Sequence, residues 1–280
     1  MGTLACILQA FDAKKIPMSD ETKQFPIFRW SGVASQSTVD ELAVEEPLEI
    51  RINGQPIAVI MRTPGHDLEL ATGFLLTEGI VQRGQDVTLR NVLDELGLEI
   101  QNTLDAIIPQ LTDLSNLQRQ IFSSSSCGIC GRMTIERVRI KASALNGKFS
   151  ATPALLRDLP GKLRTQQKVF SETGGLHGAM LFDHDGTVLA VREDIGRHNA
   201  VDKLLGWAMM NKLVPLSHAG LFVSGRLSFE ITQKALIAGI PCVAGISAAS
   251  SLAVELAKET GMTLVGFVRN GDAVVYANGR

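Results

Sequence analysis

Residues 220–268 read GLFVSGRLSFEITQKALIAGIPCVAGISAASSLAVELAKETGMTLVGFV, and this stretch decides the fold class. Three short apolar runs alternate in it with two segments whose apolar residues recur at helical spacing. Such alternation predicts an α/β sheet with helices packed on it. Upstream, HGAMLFD, TVLAVRED and NAVDKLLGWAMMNK extend the pattern back to residue 177. We therefore expect a C-terminal three-layer α/β/α domain over residues 146–280.

The first half of the chain has a different pattern. Over residues 38–61, apolar and polar residues alternate on both sides of Asn53-Gly54, a dipeptide typical of hairpin turns. The stretch HDLELATGFLLTEG that follows has helical spacing. These features predict a smaller N-terminal α+β domain over residues 26–145, preceded by a loosely ordered tail over residues 1–25.

Two further segments are less regular. Residues 86–120 mix strand and helix patterns, so the sequence predicts neither there. Residues 153–170 have helical spacing but contain Pro160-Gly161, which predicts a pair of helices interrupted at that point.

Composition and charge exclude several classes of protein. The chain has 280 residues, of which 45% are hydrophobic, and a formal net charge of -2. Because this charge creates no field that attracts a polyanion, we expect no nucleic-acid partner. No apolar run reaches the length of a membrane helix, so we expect no membrane span. Four cysteines and a start without a secretory signal predict a reducing, cytoplasmic location.

Two of the cysteines lie close together, in the segment SSSSCGICGR over residues 123–132. Its small residues and its lack of an apolar period predict a loop. The pKa of a thiol falls when a second cysteine or a cation is near, so Cys127, Cys130 and Arg132 form a nucleophilic pattern. Three interpretations compete: a zinc half-site, a redox pair, and a sulfur carrier with a persulfide on one cysteine. Spacing alone does not separate the last two.

A second candidate site is REDIGRHNAVDK, which runs from a strand into a helix. Asn199 is the predicted N-cap of that helix. Free N–H groups at a helix start attract anions, and Arg197, His198 and Lys203 supply charged or polar side chains for a phosphate. The alternative is a charged loop with ordinary salt bridges.

Glycine-rich strand ends form a third set of candidates. They contain Gly174, Gly175 and Arg226, together with the segment Gly266–Gly271 that includes Arg269. Ligands of open α/β sheets bind beyond the carboxyl ends of strands, where small residues let backbone N–H groups approach a phosphate. Each segment taken alone is more often a plain turn, because glycine is the usual residue wherever φ must be positive. Together with the Arg197 cluster, they predict a nucleotide-like ligand.

Eight motifs in this order resemble one known family, the formate dehydrogenase accessory sulfurtransferases called FdhD. They are VEEPLEIRING, MRTPGHDLELATGFLLTEGI, SSCGICGR, TGGLHGA, REDIGRHNAVDK, VSGRLSFEITQKA, AGIPCV and LVGFVRNG. The resemblance covers about residues 38–275. It implies that the protein accepts persulfide sulfur from a cysteine desulfurase. It also implies that this sulfur passes to a molybdenum or tungsten bis(molybdopterin guanine dinucleotide) cofactor, which the catalytic subunit of formate dehydrogenase requires.

The resemblance also assigns roles to residues. Cys127 corresponds to the persulfide-bearing cysteine and Cys130 to the second cysteine of the motif. The cofactor-binding stretch falls on Phe267, Val268, Arg269, Asn270, Gly271 and Asp272. The cofactor is then a bound substrate, and no permanently bound cofactor is expected.

The same resemblance implies that the C-terminal half is similar to the cytidine deaminase-like fold. Zinc deaminases need H-x-E and P-C-x-x-C motifs for their metal and their general acid/base. Here His177-Gly178-Ala179 has no glutamate, and Pro241-Cys242-Val243-Ala244 has no second cysteine. We therefore expect no metal site and no deamination.

The resulting hypothesis is that Cys127 takes sulfane sulfur and that its loop carries the sulfur to a cofactor on the C-terminal domain. A homodimer is expected, because a facing loop from a second subunit would protect the persulfide from oxidation. The alternative function is a non-catalytic chaperone for cofactor insertion.

Overall fold

The computed structural model describes residues 21–32, 34–111, 145, 149 and 151–279. The strands are β1 (Thr22–Ser31), β2 (Ala34–Ala43), β3 (Glu46–Ile52), β4 (Gln55–Arg62), β5 (Thr88–Leu93), β6 (Glu99–Ile107), β7 (His177–Phe182), β8 (Val188–Asp194), β9 (Gly220–Val223), β10 (Cys242–Gly245), β11 (Thr263–Arg269) and β12 (Asp272–Ala277). The helices are α1 (Asp67–Thr77), α2 (Pro153–Gln166), α3 (Lys168–Thr173), α4 (Arg197–Met210), α5 (Phe229–Ala238) and α6 (Ser251–Thr260). None of the helices in these ranges is long and apolar enough to cross a membrane.

The N-terminal region forms a four-stranded sheet with the order β4-β3-β6-β5, which packs on α1. The predicted hairpin is confirmed, since β3 and β4 pair in antiparallel register around Asn53 and Gly54. These two residues have φ angles of 50° and 82°, as a type I′ turn requires. Leu48, Ile50 and Ile52 alternate along β3 on its buried face.

The segment over residues 86–120 supplies β5 and β6. β6 is a central strand that pairs with β3 and β5, so its last residues are buried. The first three residues of β6 and most of β5 are exposed, which explains the mixed pattern in the sequence.

β1 and β2 form a separate two-stranded ribbon. β1 begins at Thr22, so residues 22–25 belong to a paired strand and the predicted tail boundary at residue 25 is wrong. The physical reason is pairing with β2, since residues 22–25 pair with residues 40–43 further along the chain and have no local strand signal of their own. Phe28 and Trp30 on this ribbon are 71% and 76% exposed.

The C-terminal region contains a six-stranded sheet with the order β12-β11-β10-β9-β7-β8, in which β9, β10 and β11 run parallel. Ala179 and Leu181 of β7 pack in one core cluster with residues of α4, α5 and α6. Met180 and Phe182 pack with α2 on the other face. The sheet is thus covered by helices on both sides, which confirms the α/β class. The finer likeness to the cytidine deaminase-like fold stays a prediction.

The predicted break at Pro160-Gly161 is wrong, because α2 runs through it. Proline removes one backbone hydrogen bond. Packing compensates for this loss, since the helix buries Leu156, Leu159 and Leu163 on the sheet. The interruption falls instead at Gln167, between α2 and α3.

The N-terminal and C-terminal regions meet where α1 crosses α4. A Cβ atom placed on Gly73 of α1 would lie 1.8 Å from the carbonyl oxygen of Asp202. A Cβ atom placed on Gly206 of α4 would lie 1.8 Å from the carbonyl oxygen of Glu69. The two helices therefore touch through bare backbone. This contact fixes the N-terminal sheet against the C-terminal one.

Candidate functional site at the carboxyl edge of the sheet

One edge of the C-terminal sheet gathers most of the predicted site residues. The carboxyl ends of the parallel strands β9, β10 and β11 open onto it, next to the start of the antiparallel strand β7 and of helices α4, α5 and α6. We call this surface the carboxyl edge and define it by His177, Arg197, His198, Gly225, Arg226, Ser247 and Phe267–Asp272. Open α/β sheets bind ligands at this kind of edge.

Hydrogen bonds between neighbouring loops hold the carboxyl edge in place. The Gly178 N–H donates to Ser224 Oγ at 2.9 Å, and the Ser224 N–H donates to the Gly178 carbonyl at 3.0 Å. The Leu227 N–H donates to the Ala248 carbonyl at 2.9 Å. These bonds join the ends of β7, β9 and β10, so the edge is preorganised.

Helix α4 begins at this edge without a side-chain cap. Its N-cap is Gly196, so the prediction of Asn199 as N-cap is wrong. Asn199 lies inside the first turn, and its Nδ2 donates to the Met61 carbonyl and to Asp194 Oδ1. Helices α5 and α6 are capped by Ser228 and Ser250. The first N–H groups of α4 thus lack the capping that those helices have.

Arg197 and His198 occupy the first two positions of α4, and both are half-buried. In the part of the chain that the structure describes, Arg197 Nε is buried without a hydrogen bond, and the buried His198 Nε2 has only an ion-pair contact. Such atoms are rare in folded proteins and call for an explanation.

His198 has an acidic neighbour that the sequence analysis missed. Its Nε2 lies 3.4 Å from Glu230 Oε2 on α5. This interaction, together with a hydrogen bond from Ser228 Oγ, lowers the pKa of Glu230 to about 2, against the opposing effect of burial. His198 is therefore oriented by a carboxylate, whereas Arg197 has no anionic partner among the described residues.

His177, at the start of β7, was also missed as a site residue, although it directly follows the glycine pair in TGGLHGA. Burial lowers the pKa of His177, and the charges of Arg197 and His198 lower it further, with Asp194 opposing them. The imidazole is thus held neutral beside two potential cations.

Lys203 does not have the predicted role. Its side chain is 1% exposed, and its Nζ forms an ion pair with Asp194 Oδ2 at 2.8 Å. The same Nζ donates to the Thr63 carbonyl at 2.8 Å and to the Glu193 carbonyl at 3.3 Å. Because an ammonium group has three N–H donors, all of them are engaged inside the protein. The prediction that Lys203 binds a phosphate is therefore wrong, and its role is structural.

The other predicted cations and glycines lie on the surface. Arg226 follows β9 and is exposed. Gly174 ends α3 in the left-handed conformation with a φ of 67°, and its N–H donates to the Phe170 carbonyl. The left-handed conformation at this helix end explains why residue 174 is a glycine. Gly175 lies next to it and close to Ala43 of β2.

The segment from Phe267 to Asp272 contains a bulge and a turn. Phe267 has a φ of 52°, and the register between β11 and β12 shifts there. Left-handed backbone at a non-glycine residue costs about 1–3 kcal/mol and occurs at functional sites. Not all of these residues can offer a side chain to a ligand. Val268 is buried in the core, and Asn270-Gly271 forms the turn into β12. The Arg269 guanidinium lies 5.6 Å from the centre of the Phe267 ring.

The bulge and the Arg197 cluster lie at different points of the same edge. Strands β10 and β9 separate β11 from β7. At about 4.8 Å per strand, this corresponds to roughly 14 Å. The Phe267 N–H donates to the Ser247 carbonyl at 3.1 Å, which anchors the bulge to the loop after β10. The carboxyl edge can therefore accommodate an extended ligand.

A cavity of about 510 Å³ lies elsewhere, between the start of α1 and β6. Its lining includes Asp67, Glu69 and Glu99. Because the described residues of this lining include no lysine or arginine, the cavity does not compete with the carboxyl edge as a phosphate site.

The predicted catalytic residues Cys127 and Cys130 lie outside the described residues. Cys242, at the start of β10, is fully buried and free. Burial raises the pKa of its thiol to about 12, so Cys242 is protonated and inert at neutral pH.

Comparisons with known proteins agree with one another. The family model described as FdhD/NarQ family matches residues 43–280. A sulfur carrier protein FdhD from Streptomyces coelicolor is 47% identical over 274 residues, which cover 93% of this chain and 95% of the relative. A protein of the same name from Sulfolobus acidocaldarius is 41% identical over 242 residues, covering 86% and 91%. A crystal structure of a formate dehydrogenase accessory protein from Desulfotalea psychrophila matches with a TM-score of 0.71 at 21% identity, covering 91% of this chain and 96% of that chain, and shows a shared fold.

Proposed function

The chain belongs to the FdhD/NarQ family, and from this premise we propose that it is a sulfur carrier for formate dehydrogenase. In this proposal it accepts sulfur from a cysteine desulfurase and passes it to a molybdenum or tungsten bis(molybdopterin guanine dinucleotide) cofactor. The observation that supports it best is the combination of the Cys127-Gly128-Ile129-Cys130 motif with a preorganised, cationic carboxyl edge. The motif supplies the nucleophile, and the edge supplies a place for the phosphorylated end of the cofactor.

The sulfur step is a thiol exchange. The Cys127 thiolate attacks the terminal sulfur of the donor's persulfide, a new S–S bond forms, and the donor leaves as a thiolate. Release of that sulfur as sulfide needs two electrons. The Cys130 thiolate provides them by attacking Cys127 Sγ, which forms a Cys127–Cys130 disulfide and expels hydrosulfide. A cellular thiol reductant then restores the pair.

The nucleotide end of the cofactor is proposed to bind along the carboxyl edge. Arg197, Arg226 and Arg269 supply charge, and the uncapped start of α4 supplies backbone N–H groups. His198, Gly174 and Gly175 remain candidates beside them, as do the residues from Phe267 to Asp272. Lys203 is left out, because its donors are engaged with Asp194 and two carbonyls.

Three protein contacts are part of the same proposal: a cysteine desulfurase, the catalytic subunit of formate dehydrogenase, and a second copy of this chain. The exposed Phe28 and Trp30 on the β1–β2 ribbon support a protein contact, because apolar surface of this kind is commonly covered by a partner. A cytoplasmic location follows from the chemistry, since free thiolates persist in a reducing compartment.

Persulfide transfer is tested by incubating the full-length protein with a cysteine desulfurase and cysteine. Mass spectrometry should then find a gain of about 32 Da, one sulfur atom, on the peptide that contains Cys127. The Cys127→Ala variant should lose both the adduct and the activation of formate dehydrogenase, whereas Cys6→Ala should keep both. If Cys127→Ala still binds GDP and activates the dehydrogenase fully, the protein is a non-catalytic chaperone for cofactor insertion.

A further inference from the structure

The cavity of about 510 Å³ between the start of α1 and β6 combines apolar and acidic groups. Its lining includes Leu48 and Leu104, which are buried, and Leu68 and Met210, which are exposed. Apolar side chains therefore extend from the inside of the cavity to the surface around it. A cavity of this size is large enough to hold a small ligand or a long side chain of another protein.

The turn between β5 and β6 continues this apolar surface. Leu96 and Leu98 on the turn are 83% and 63% exposed, and Ile100, which lines the cavity, is exposed as well. Asp94 Oδ1 accepts hydrogen bonds from the N–H groups of Leu96 and Leu98, each at 2.9 Å. The two leucines are thus held in solvent by a preorganised turn. Exposed apolar residues that are contiguous in this way mark interaction sites.

The turn and the cavity are also acidic. The turn carries Asp94, Glu95 and Glu99, and Glu99 lines the cavity together with Asp67 and Glu69. Asp67 and Glu69 each form an ion pair with an arginine of the protein. Glu99 instead accepts a hydrogen bond from a neutral amide at 2.9 Å, and no described cation forms an ion pair with it. Its charge is therefore available to a ligand.

We call this region the α1–β6 surface and define it by Leu68, Leu96, Leu98, Glu99, Ile100 and Met210. We propose that it docks a basic amphipathic segment of a partner protein. The apolar side chains of the segment pack on the exposed leucines, and one lysine or arginine side chain enters the cavity beside Glu99. Such a side chain packs its alkyl stem on apolar residues while its charged end reaches a carboxylate.

The charge of the α1–β6 surface selects this occupant over two others. An acidic peptide and an anionic membrane surface would both be repelled by the carboxylates of the turn. The surface itself rests on geometry and charge. Only the identity of the protein that presents the segment rests on the proposed function, which names three partners.

The α1–β6 surface lies far from the carboxyl edge. Arg197 and Met210 are the first and last residues of α4, a helix of 14 residues. At a rise of 1.5 Å per residue, the two ends are about 20 Å apart. A partner docked at the α1–β6 surface therefore leaves the carboxyl edge open, and binding at the two places should be independent.

Fluorescence anisotropy of the full-length protein with a labelled synthetic peptide, built from leucine and lysine at helical spacing, tests the docking. Leu96→Ser and Leu98→Ser should each weaken peptide binding by about tenfold, because each removes an apolar contact. Glu99→Lys should weaken it by about as much, because it reverses the charge beside the cavity. All three side chains lie on the surface, so the thermal midpoints should not change. Wild-type peptide affinity in all three variants would overturn the proposal.

Two control variants make the same changes at other exposed positions. Leu189→Ser on β8 and Glu255→Lys on α6 should bind the peptide as the wild type does. A peptide with glutamate in place of lysine should bind the wild type about tenfold more weakly. Equal binding of the two peptides would overturn the assignment to a basic partner.

Three further measurements separate the alternatives. Sedimentation should give the same mass for the wild type and Leu96→Ser, and a dimer that the substitution dissociates would assign the surface to a second copy and overturn the proposal. GDP binding should be unchanged in Leu96→Ser, and its loss would contradict the separation from the carboxyl edge. Absence of the persulfide label on Cys127 in the wild type would contradict the proposed function and leave peptide docking unaffected.

Discussion

The carboxylate of Asp194 organises the start of the site. It is fully buried and accepts hydrogen bonds from Thr63 N at 3.1 Å, Gly196 N at 2.8 Å and Asn199 Nδ2 at 2.9 Å, besides pairing with Lys203. Removing one partner of such a pair leaves an uncompensated charge. We expect Lys203→Met to lower the free energy of unfolding by about 3–5 kcal/mol, measured by urea denaturation.

Arg226→Ala is the matched control, because Arg226 is exposed and carries the same charge. Its effect on stability should stay within about 0.5 kcal/mol. If Lys203→Met were as stable as the wild type and only bound GDP less well, Lys203 would be a ligand after all.

The difference between these two cations was not visible in the sequence. Both stand in charged motifs near strand ends. The Thr63 carbonyl that accepts from Lys203 lies 140 residues away in the chain. The donors of Lys203 are engaged only because the fold packs α4 against the end of β8 and against Thr63, which follows β4.

The crossing of α1 and α4 depends on two glycines that local propensity disfavours in helices. Gly206→Ala would place a methyl group against the Glu69 carbonyl, and neither backbone can move without displacing its helix. We expect a loss of about 3 kcal/mol or more in unfolding free energy, since overpacking by one methyl group typically costs 1–3 kcal/mol when side chains can adjust. Gly73→Ala should behave alike. Chemical denaturation followed by circular dichroism measures both.

Gly161→Ala serves as the comparison within α2, where the added methyl group meets nothing. It should stabilise the protein by roughly 0.5–1 kcal/mol, because alanine loses less conformational freedom than glycine in a helix. A stable Gly206→Ala variant would show that the helices do not cross this closely.

Turn chemistry explains which strands were predicted. The Asn53-Gly54 dipeptide predicts a hairpin, and the structure contains it between β3 and β4. Asn270-Gly271 carries the same signal and forms the turn between β11 and β12, although the resemblance places it in a cofactor-binding stretch and no strand is predicted after it. In both cases the Asn-Gly dipeptide is sufficient to predict the hairpin turn. The bulge at Phe267 was not predictable, because it arises where β11 leaves its register with β12.

The N-terminal and C-terminal regions are also joined by an ion pair between Glu69 of α1 and Arg192 of β8. Arg192 Nη2 donates to Glu69 Oε1 at 2.7 Å, and Nε donates to Oε2. Burial alone would raise the pKa of Glu69, but hydrogen bonds and charges of Arg192 and His66 outweigh it and bring the pKa to about 2.

This pair predicts how stability depends on pH. The folded state holds Glu69 ionised below the pKa of the unfolded chain, so the stabilisation is complete above about pH 4.5 and is lost as the pH falls towards 2. The size of this stabilisation is on the order of 3 kcal/mol, from a pKa difference of about 2.5 between the folded and the unfolded chain.

Unfolding free energies measured from pH 6 to pH 2.5 should fall less steeply for Glu69→Gln than for the wild type. Glu95→Gln, on the exposed turn between β5 and β6, should leave the slope unchanged. Equal slopes for Glu69→Gln and the wild type would exclude the pair as a link between the regions.

By itself, the sequence determined the α/β class, the order of strands and helices from β7 to β11, and the family to which the chain belongs. These properties follow from apolar periodicity, turn residues and motifs, which are local in the chain. Only the tertiary structure decided that Lys203 is buried, that Gly73 and Gly206 form a helix crossing, and that His177 and Gly225 flank Arg197. Each of these depends on groups distant in sequence, and the charge or size of a residue does not reveal which distant group will satisfy it.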